Sequence, residues 1–316
     1  MRARVVVTLC VVVAVLLAGV PWIASPATIE FGINMLLLAA LAQSWNIIGG
    51  YTGYPSFGNS VFYGLGSYGT AVAMLSWQLP FGVGLVVGAV IAVVFALLLG
   101  RAVLRLRGHY FAICTLGVAE VMTAIVSNLE ITGRNQGLVL PLLKGNVLFY
   151  ELSLALVVVA TLVVWWIARS RFGFGLVAIR ENEEAAASMG VDTTRYKIFA
   201  FAISAAIGAV AGGIHAYWIT FIDPVSAFDI GLNVKMIIMA VFGGPGSILG
   251  PVVGAFVLSA ISEVLSSEIS TVAGLFFGIV IVVAVVFMPR GIADLLRRFH
   301  TYRWRYFAAN VRATRV

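Results

Sequence analysis

The charged side chains of this sequence concentrate in one stretch, from Arg169 to Lys197, which lies between two long apolar segments. Nine of the 33 charged residues (20 basic plus 13 acidic) fall within it, namely Arg169, Arg171, Arg180, Glu181, Glu183, Glu184, Asp192, Arg195 and Lys197. Such a run is too charged for hydrocarbon, where each ionised side chain costs about 2.5–3.5 kcal/mol on insertion scales. We therefore expect it in water, either as a contact surface for another protein or as a solvated connecting loop.

Local signals within this run predict a short helix. Residues Glu181 to Met189 are good helix formers, and Gly190 follows them as a stop signal. The sequence Asp192-Thr193-Thr194 then offers a cap for the next helix. Because long apolar segments flank the run on both sides, the short helix is predicted to lie across the membrane surface.

Three further ionisable residues, Glu120, Lys235 and Glu263, fall inside apolar segments. Ionisable groups at membrane depth are functional candidates by default, and an isolated one is costly. We therefore expect Lys235 to pair with Glu120 or Glu263. A proton-coupled secondary transporter would use such groups, and structural pairs that neutralise one another are the alternative explanation.

Several kinds of chemistry find no support in the sequence. The lysines Lys144, Lys197 and Lys235 are followed by Gly, Ile and Met, so none completes the phosphate-binding pattern G-x-x-x-x-G-K-[ST]. Neither G-x-S-x-D nor H-E-x-x-H, as an intramembrane enzyme would need, occurs. The three histidines and two cysteines lack metal-ligand spacing. We expect no catalytic residue, metal or cofactor in this chain, and any ATP to bind to a partner.

Composition places the chain in a membrane, because 61% hydrophobic and 10% charged residues cannot form the surface of a soluble globule. Apolar windows of about 20 residues predict an all-α polytopic protein with about ten transmembrane segments. These are Val5–Ala24, Ile29–Ile48, Asn59–Trp77, Gly82–Leu104, Tyr110–Asn128, Phe149–Ala168, Tyr196–Thr220, Ile230–Phe242, Ile248–Leu265 and Val272–Met288. The eighth is short and contains Lys235, so a re-entrant segment is an alternative to a full crossing.

Basic residues predict the orientation. The positive-inside rule places Arg2, Arg4, the run Arg169–Lys197 and the tail after Pro289 in the cytoplasm, together with both termini. Met1 to Ala27 also fits a cleaved signal peptide, but its apolar core is long, which favours a retained first helix. The tail, residues 290–316, interleaves arginines with aromatic residues. So close to a span, it is expected to bind anionic lipid as an amphipathic helix rather than nucleic acid.

Two glycine-rich stretches interrupt the apolar segments near opposite ends of the chain. The candidates in the first are Gly50, Gly53, Ser56 and Gly58, and those in the second are Gly243, Gly244, Gly246 and Ser247. Paired broken segments of this kind point to a translocation path through a transporter. Tight structural packing of helices is the alternative.

Five stretches, in order along the chain, together resemble the permeases of branched-chain amino-acid ABC importers, in particular their LivM-type subunit. They are Gly50 to Tyr68, Arg105 to Ala112, Thr132 to Leu138, Ala178 to Gly190 and Gly243 to Ala255, with Met288-Pro289-Arg290-Gly291 behind them. The fourth is similar to the EAA loop, the short helix through which a permease contacts its ATPase. Arg134 and His109 depart from the family pattern, and the I-x-L-P ending of the general EAA motif is absent after Gly190.

The resemblance implies a single permease domain, residues 1–289, with a coupling loop at 169–197. The residues that it assigns to ATPase coupling are Glu181, Glu183, Glu184, Ala185, Ala186 and Gly190. It further implies two ATP-binding subunits, a second permease of the LivH type and an extracytoplasmic binding protein, for which we expect the outer loop Thr132–Leu143 to be a docking surface. The implied substrates are branched-chain or related neutral amino acids, with urea or short amides as the alternative.

Overall fold

The computed structural model describes residues 17–22, 24–106, 108–143 and 145–268, with side chains up to Glu263. Almost all of the first predicted span, together with Arg107, Lys144, the last predicted span and the tail 290–316, lies outside the described residues. The predictions for those parts therefore stay predictions.

The described residues form eleven α-helices and one small sheet, because segments this apolar must satisfy their backbone groups internally. The helices are α1 (Pro26–Trp45), α2 (Asn59–Leu75), α3 (Phe81–Val103), α4 (His109–Asn128), α5 (Asn146–Arg169), α6 (Arg171–Glu181), α7 (Glu183–Ser188), α8 (Thr193–Ile219), α9 (Pro224–Ala227), α10 (Ile230–Gly243) and α11 (Gly250–Glu268). A π-helical turn, Asn46–Tyr51, extends α1. The strands β1 (Leu138–Val139) and β2 (Phe221–Ile222) pair antiparallel, with Leu138 opposite Ile222.

The sequence predicted the positions of the apolar helices correctly, but not every apolar helix is long enough to count as a membrane span. Eight of the ten predicted segments coincide with helices, and the other two are those outside the described residues. Within the described ranges, six helical segments are long and apolar enough to cross a membrane. The short eighth segment is one of them, because α9 lengthens α10 into a 20-residue stretch from Pro224 to Gly243. The count of about ten spans is not confirmed.

The core lies around α2 and α8, which pack against each other and against α3. The buried face of α3 is a row of small residues four positions apart, Gly84, Gly88, Ala92, Ala96 and Gly100. Its opposite face exposes large aliphatic side chains such as Val86, Val90 and Leu98. Small residues let membrane helices approach closely, while an exposed aliphatic face suits lipid. The centre of the fold thus consists of closely packed helices that hold the broken segments in place.

Candidate coupling site

The charged run contains two helices instead of the single one predicted, because Asn182 divides it. Asn182 has an extended backbone, and its Oδ1 accepts hydrogen bonds from the amides of Glu184 and Ala185, both at 3.0 Å. It thereby satisfies two of the free amides at the start of α7. The predicted helix Glu181–Met189 is corrected to α7, Glu183–Ser188, preceded by α6.

The end of α7 and the start of α8 follow the sequence signals. Gly190 has φ +87°, a left-handed conformation that strains residues with a β-carbon. The Asp192 side chain accepts a hydrogen bond of 3.1 Å from the Arg195 amide and so caps α8. The coupling segment, residues 169–197, is therefore a compact, capped connection between α5 and α8.

The centre of this segment is the side chain of Lys197, which is 3% exposed. Its Nζ donates hydrogen bonds to Glu183 Oε1 at 2.6 Å, to the Leu104 carbonyl at 2.9 Å and to Tyr54 Oη at 3.0 Å. An ammonium group has three donors, and all three have acceptors here. Tyr54 Oη in turn donates to Glu183 Oε2. The cluster of Glu183, Lys197 and Tyr54 therefore fixes α7 to α8 and to the first glycine stretch.

The cluster keeps Glu183 ionised. Burial on its own raises the pKa of the Glu183 carboxyl, but hydrogen bonds from Lys197, Tyr54 and Thr193 and the Lys197 charge hold this pKa below its ordinary value. Because the lowered pKa marks a preference of the fold for the carboxylate, the stabilisation is present above the unfolded pKa. It is lost only as the pH falls through the folded pKa, so the contact is fully formed at neutral pH.

Arg180, near the end of α6, contacts both glycine stretches. Its Nη1 donates to the Gly50 carbonyl at 3.1 Å, and its Nη2 donates to Glu181 Oε1 at 2.9 Å. A β-carbon at Gly246 would lie 2.6 Å from Arg180 Nη1, and one at Gly53 would lie 2.8 Å from Arg180 Cγ. The glycines therefore leave the room that the guanidinium occupies between the two stretches.

The two glycine stretches also bind each other through polar side chains of α1 and its π-helical turn. Asn46 Oδ1 accepts from the Gly246 amide at 2.7 Å, and Asn46 Nδ2 donates to the Ser247 carbonyl at 3.0 Å. Gln43 Nε2 donates to the Ile248 carbonyl at 2.6 Å. Non-helical backbone at membrane depth needs such partners, and π-turns are frequent at functional sites. Gly50, Gly246 and Ser247 thus meet at one junction, which we call the Gly50–Gly246 junction.

The other path candidates make packing contacts. Ser56 is fully buried, and its carbonyl accepts a hydrogen bond of 2.8 Å from Trp45 Nε1. A β-carbon at Gly58 would lie 2.9 Å from the Thr115 carbonyl, and one at Gly243 would lie 1.8 Å from that of Gly250. For these residues the contacts fit the structural alternative of close helix packing.

The coupling candidates divide between the interior and the surface. Glu183 points to Lys197, and Ala186 is 5% exposed, so neither lies on the outer surface of α7. Glu184, Ala185 and Met189 are exposed, Met189 by 86%. The chain itself covers Ala186, so the surface of α7 that a partner could reach consists of its exposed residues, and the assignment of Ala186 to ATPase coupling stays a prediction.

The intramembrane charges also separate into two groups. Lys235 and Glu263 line one cleft, in which Asn34 and Ser262 also take part. Glu120 is exposed on α4 and is absent from that cleft. The geometry favours Glu263 over Glu120 as the neighbour of Lys235, and the ion pair itself stays a prediction.

The outer loop between α4 and α5 has a different character. Arg134 forms an ion pair with Glu130, and their side chains are 63% and 82% exposed. The adjacent strand β1 pairs with β2, which fixes the loop to the end of α8. The predicted docking surface, Thr132–Leu143, therefore presents Arg134, one member of a solvated charge pair, on an anchored loop.

Sequence reasoning missed Tyr54, Asn46 and Gln43, and it gave Arg180 and Lys197 no individual role. A signal existed for two of them, because Gln43 and Asn46 are polar residues three apart in an apolar helix and so lie on one face. Lys197 lies in the second turn of an apolar helix, close to its cytoplasmic start as predicted, where a solvated lysine is the ordinary expectation. Only the fold brings it against Tyr54 and Glu183.

The family described as "Branched-chain amino acid transport system / permease component" matches residues 26–285. The chain is similar to the high-affinity branched-chain amino acid transport system permease protein LivM of Escherichia coli K12, with 29% identity over 90% of this chain and 75% of the relative. LivM of Salmonella typhimurium LT2 is also 29% identical, over 88% and 72% of the two chains.

A more distant similarity covers a smaller part of the chain. The autoinducer 2 import system permease protein LsrC of Salmonella paratyphi B is 33% identical, but over 34% of this chain and 32% of the relative. No solved structure matches the chain. The matches to LivM therefore carry more weight, because they include both glycine stretches and the coupling segment.

Proposed function

The chain belongs to the family of permease components of branched-chain amino acid transport systems, and from this premise we propose that it is the LivM-type subunit of an ABC importer. It is a multi-pass protein of the inner membrane with no catalytic role of its own. Its proposed cargo is branched-chain or related neutral amino acids, and separate ATPase subunits supply the energy.

The observation that carries this proposal is the position of Arg180. It lies near the end of α6, two residues before the break at Asn182, and its guanidinium reaches the Gly50–Gly246 junction. A displacement of α7 by an ATPase would therefore reach the two broken membrane segments through one side chain. The Lys197 cluster supports the same route, because it joins α7 to α8 and to Tyr54.

An importer of this family works with ATPase and binding-protein subunits. We propose in addition a LivH-type second permease and two copies of the ATPase. The exposed residues Glu184, Ala185 and Met189 form the proposed ATPase contact. Both termini are proposed to be cytoplasmic, with the permease domain at 1–289 and the tail 290–316 on anionic lipid.

Reconstitution tests the function. The chain, its second permease, its ATPases and its binding protein are placed in proteoliposomes, and uptake of labelled leucine, valine, urea and acetamide is measured with and without ATP. We expect ATP-dependent uptake of leucine and valine. Uptake of urea or acetamide instead would support the alternative substrate class, and uptake driven by a proton gradient without ATP would support a secondary transporter.

A pair of neighbouring alanines tests the ATPase contact. Ala185→Arg adds a large side chain on the exposed face, so we expect it to reduce ATPase co-purification while the melting temperature of the permease stays unchanged. Ala186→Arg introduces the same side chain at a buried position and should lower the melting temperature. Full ATPase retention in the Ala185→Arg protein would contradict the proposed contact.

A further inference from the structure

A small cleft lies between α1, α10 and α11, away from the Gly50–Gly246 junction. It has a volume of about 90 Å³. Asn34 in this cleft is 12 residues before Asn46, and Glu263 is 13 residues after Gly250, so about 18–20 Å of helix separates it from the junction. The cleft therefore lies near one end of these three helices, and the contacts of the Gly50–Gly246 junction lie near the other end.

The cleft brings a cation and an anion to one place in an apolar environment. Lys235 and Glu263 line it together with the polar residues Asn34 and Ser262. Ionisable residues in membrane segments face a bundle interior or a water-filled cavity, because hydrocarbon does not solvate them. Lys235, Glu263 and Asn34 are exposed at the surface of the described residues, so the cleft is open on one side and forms a polar site on an otherwise apolar set of helices.

Ser259 gives an independent indication that something polar binds here. It lines the same cleft and is 6% exposed, and its Oγ has no hydrogen-bond partner within the described residues. A buried hydroxyl without a partner is unfavourable, and such groups require an explanation. A ligand with hydrogen-bonding groups in the cleft supplies one.

From these observations we propose that the cleft binds a zwitterionic α-amino acid with an aliphatic side chain. Lys235 would face the α-carboxylate and Glu263 the α-ammonium group, since charge-assisted hydrogen bonds offset the loss of water from both ends of the zwitterion. Ser259 and Asn34 would complete the polar contacts. This inference rests on the proposed function and specifies the residues that recognise its cargo.

The remaining lining of the cleft fits the other part of such a ligand. Met35, Leu38 and Met239 are apolar, and Met239 is fully buried. Thioether side chains adapt to irregular aliphatic shapes. Urea and acetamide carry neither a net positive nor a net negative group and have no branched side chain, so this cleft would select against them.

Protection of a cysteine from chemical labelling tests the proposal in the complete transport complex in proteoliposomes. Ser262→Cys is introduced after Cys10→Ala and Cys114→Ala, and its reaction with a cationic methanethiosulfonate is timed with leucine, urea or no addition. Saturating leucine is expected to slow labelling about tenfold, because the fraction of empty clefts falls about tenfold when the ligand concentration is about ten times its Kd. Urea is expected to have no effect. Ser76→Cys, an exposed position at the end of α2, is the matched control and should react equally fast in all three conditions.

Charge-neutral variants sharpen the outcome. Lys235→Met and Glu263→Gln should each remove the leucine protection, whereas Glu120→Gln, outside the cleft, should retain it. Leucine import by the parent complex without protection of Ser262→Cys, or failure of this cysteine to react at all, would overturn the cleft proposal alone. Absence of leucine import by the parent complex would instead refute the proposed function. A third outcome would also overturn the proposal: the two cleft variants no longer co-purify with the second permease, while leucine protection is unaffected in the complexes that remain intact. The two charges would then belong to an interface between subunits.

Discussion

Two ion pairs, each between a basic residue and a glutamate, lie near opposite ends of α8, which is 27 residues and thus about 40 Å long. In the coupling segment, Lys197 and Glu183 are 3% and 16% exposed and bind further groups of the chain. In the outer loop, Arg134 and Glu130 are 63% and 82% exposed. The buried pair can transmit a displacement into the fold, whereas the exposed pair leaves its loop free to serve as a binding surface.

Of the variants that test this difference, removal of the buried cation should have the largest effect on stability and uptake. Lys197→Met leaves the partly buried Glu183 carboxylate without its cation, which costs at most about 3–5 kcal/mol, the value for a fully buried partner. We expect a lower melting temperature and loss of ATP-driven uptake. Arg195→Met, at a side chain that is 79% exposed in the same helix, is the control and should change little. The double variant Lys197→Met/Glu183→Gln should recover part of the stability; a single variant as stable as the control would show that the cluster is not structural.

Loss of the junction contact should have an intermediate effect. Arg180→Ala removes hydrogen bonds from a charged group to Gly50 and Glu181, worth about 1.5–3 kcal/mol in general and toward the lower end for a side chain that is 35% exposed. ATPase co-purification should persist while uptake per hydrolysed ATP falls. Arg171→Ala, at an exposed position in the same helix, provides the comparison. Equal uptake by both variants would remove Arg180 from the coupling route.

The turn after α7 should contribute less. Gly190→Asp places a β-carbon at φ +87°, with a strain of about 1–2 kcal/mol. The permease should remain inserted, but uptake and ATPase co-purification should decrease because α7 is reoriented. Gly190→Asn is the matched variant, since asparagine is close to aspartate in size and in tolerance of left-handed backbone but adds no charge, so it separates the backbone strain from the added charge. Normal uptake in the Gly190→Asp protein would argue against a fixed orientation of α7.

The exposed pair should show the smallest effect on stability. Arg134→Glu removes a surface ion pair worth about 0.2–1 kcal/mol and should leave the melting temperature nearly unchanged. Uptake from a binding protein should nevertheless fall, because the variant reverses a charge on the expected docking surface. Glu130→Gln breaks the same pair without this reversal and separates the two effects. Unchanged uptake in both proteins would exclude this loop from docking.

The sequence predicted what depends on local composition. Apolar windows identified eight described helices, and charge, glycine and cap signals located the coupling segment, Gly190 and the Asp192 cap. These features depend on residues only a few positions apart.

What the sequence could not predict depends on long-range pairing. Lys197 meets Tyr54 across 143 positions, and Gly246 meets Asn46 across 200. No periodicity indicates which of the many polar residues will be neighbours after folding. For the same reason Glu183 could be assigned to the surface of α7, although its contacts with Lys197 of α8 and Tyr54 of the first glycine stretch turn it inward.

The two faces of α3 set different limits on mutational drift in this protein. A β-carbon at Gly88 would lie 2.7 Å from the Gly66 carbonyl, so even alanine there would force neighbouring backbone apart. Along that face substitutions are confined to the smallest side chains. On the opposite face, Val86, Val90 and Leu98 touch little of the chain, and one aliphatic residue can replace another at small cost. Within this one helix, the positions that face the interior should therefore accept almost no substitution. The positions on the opposite face should accept many aliphatic replacements.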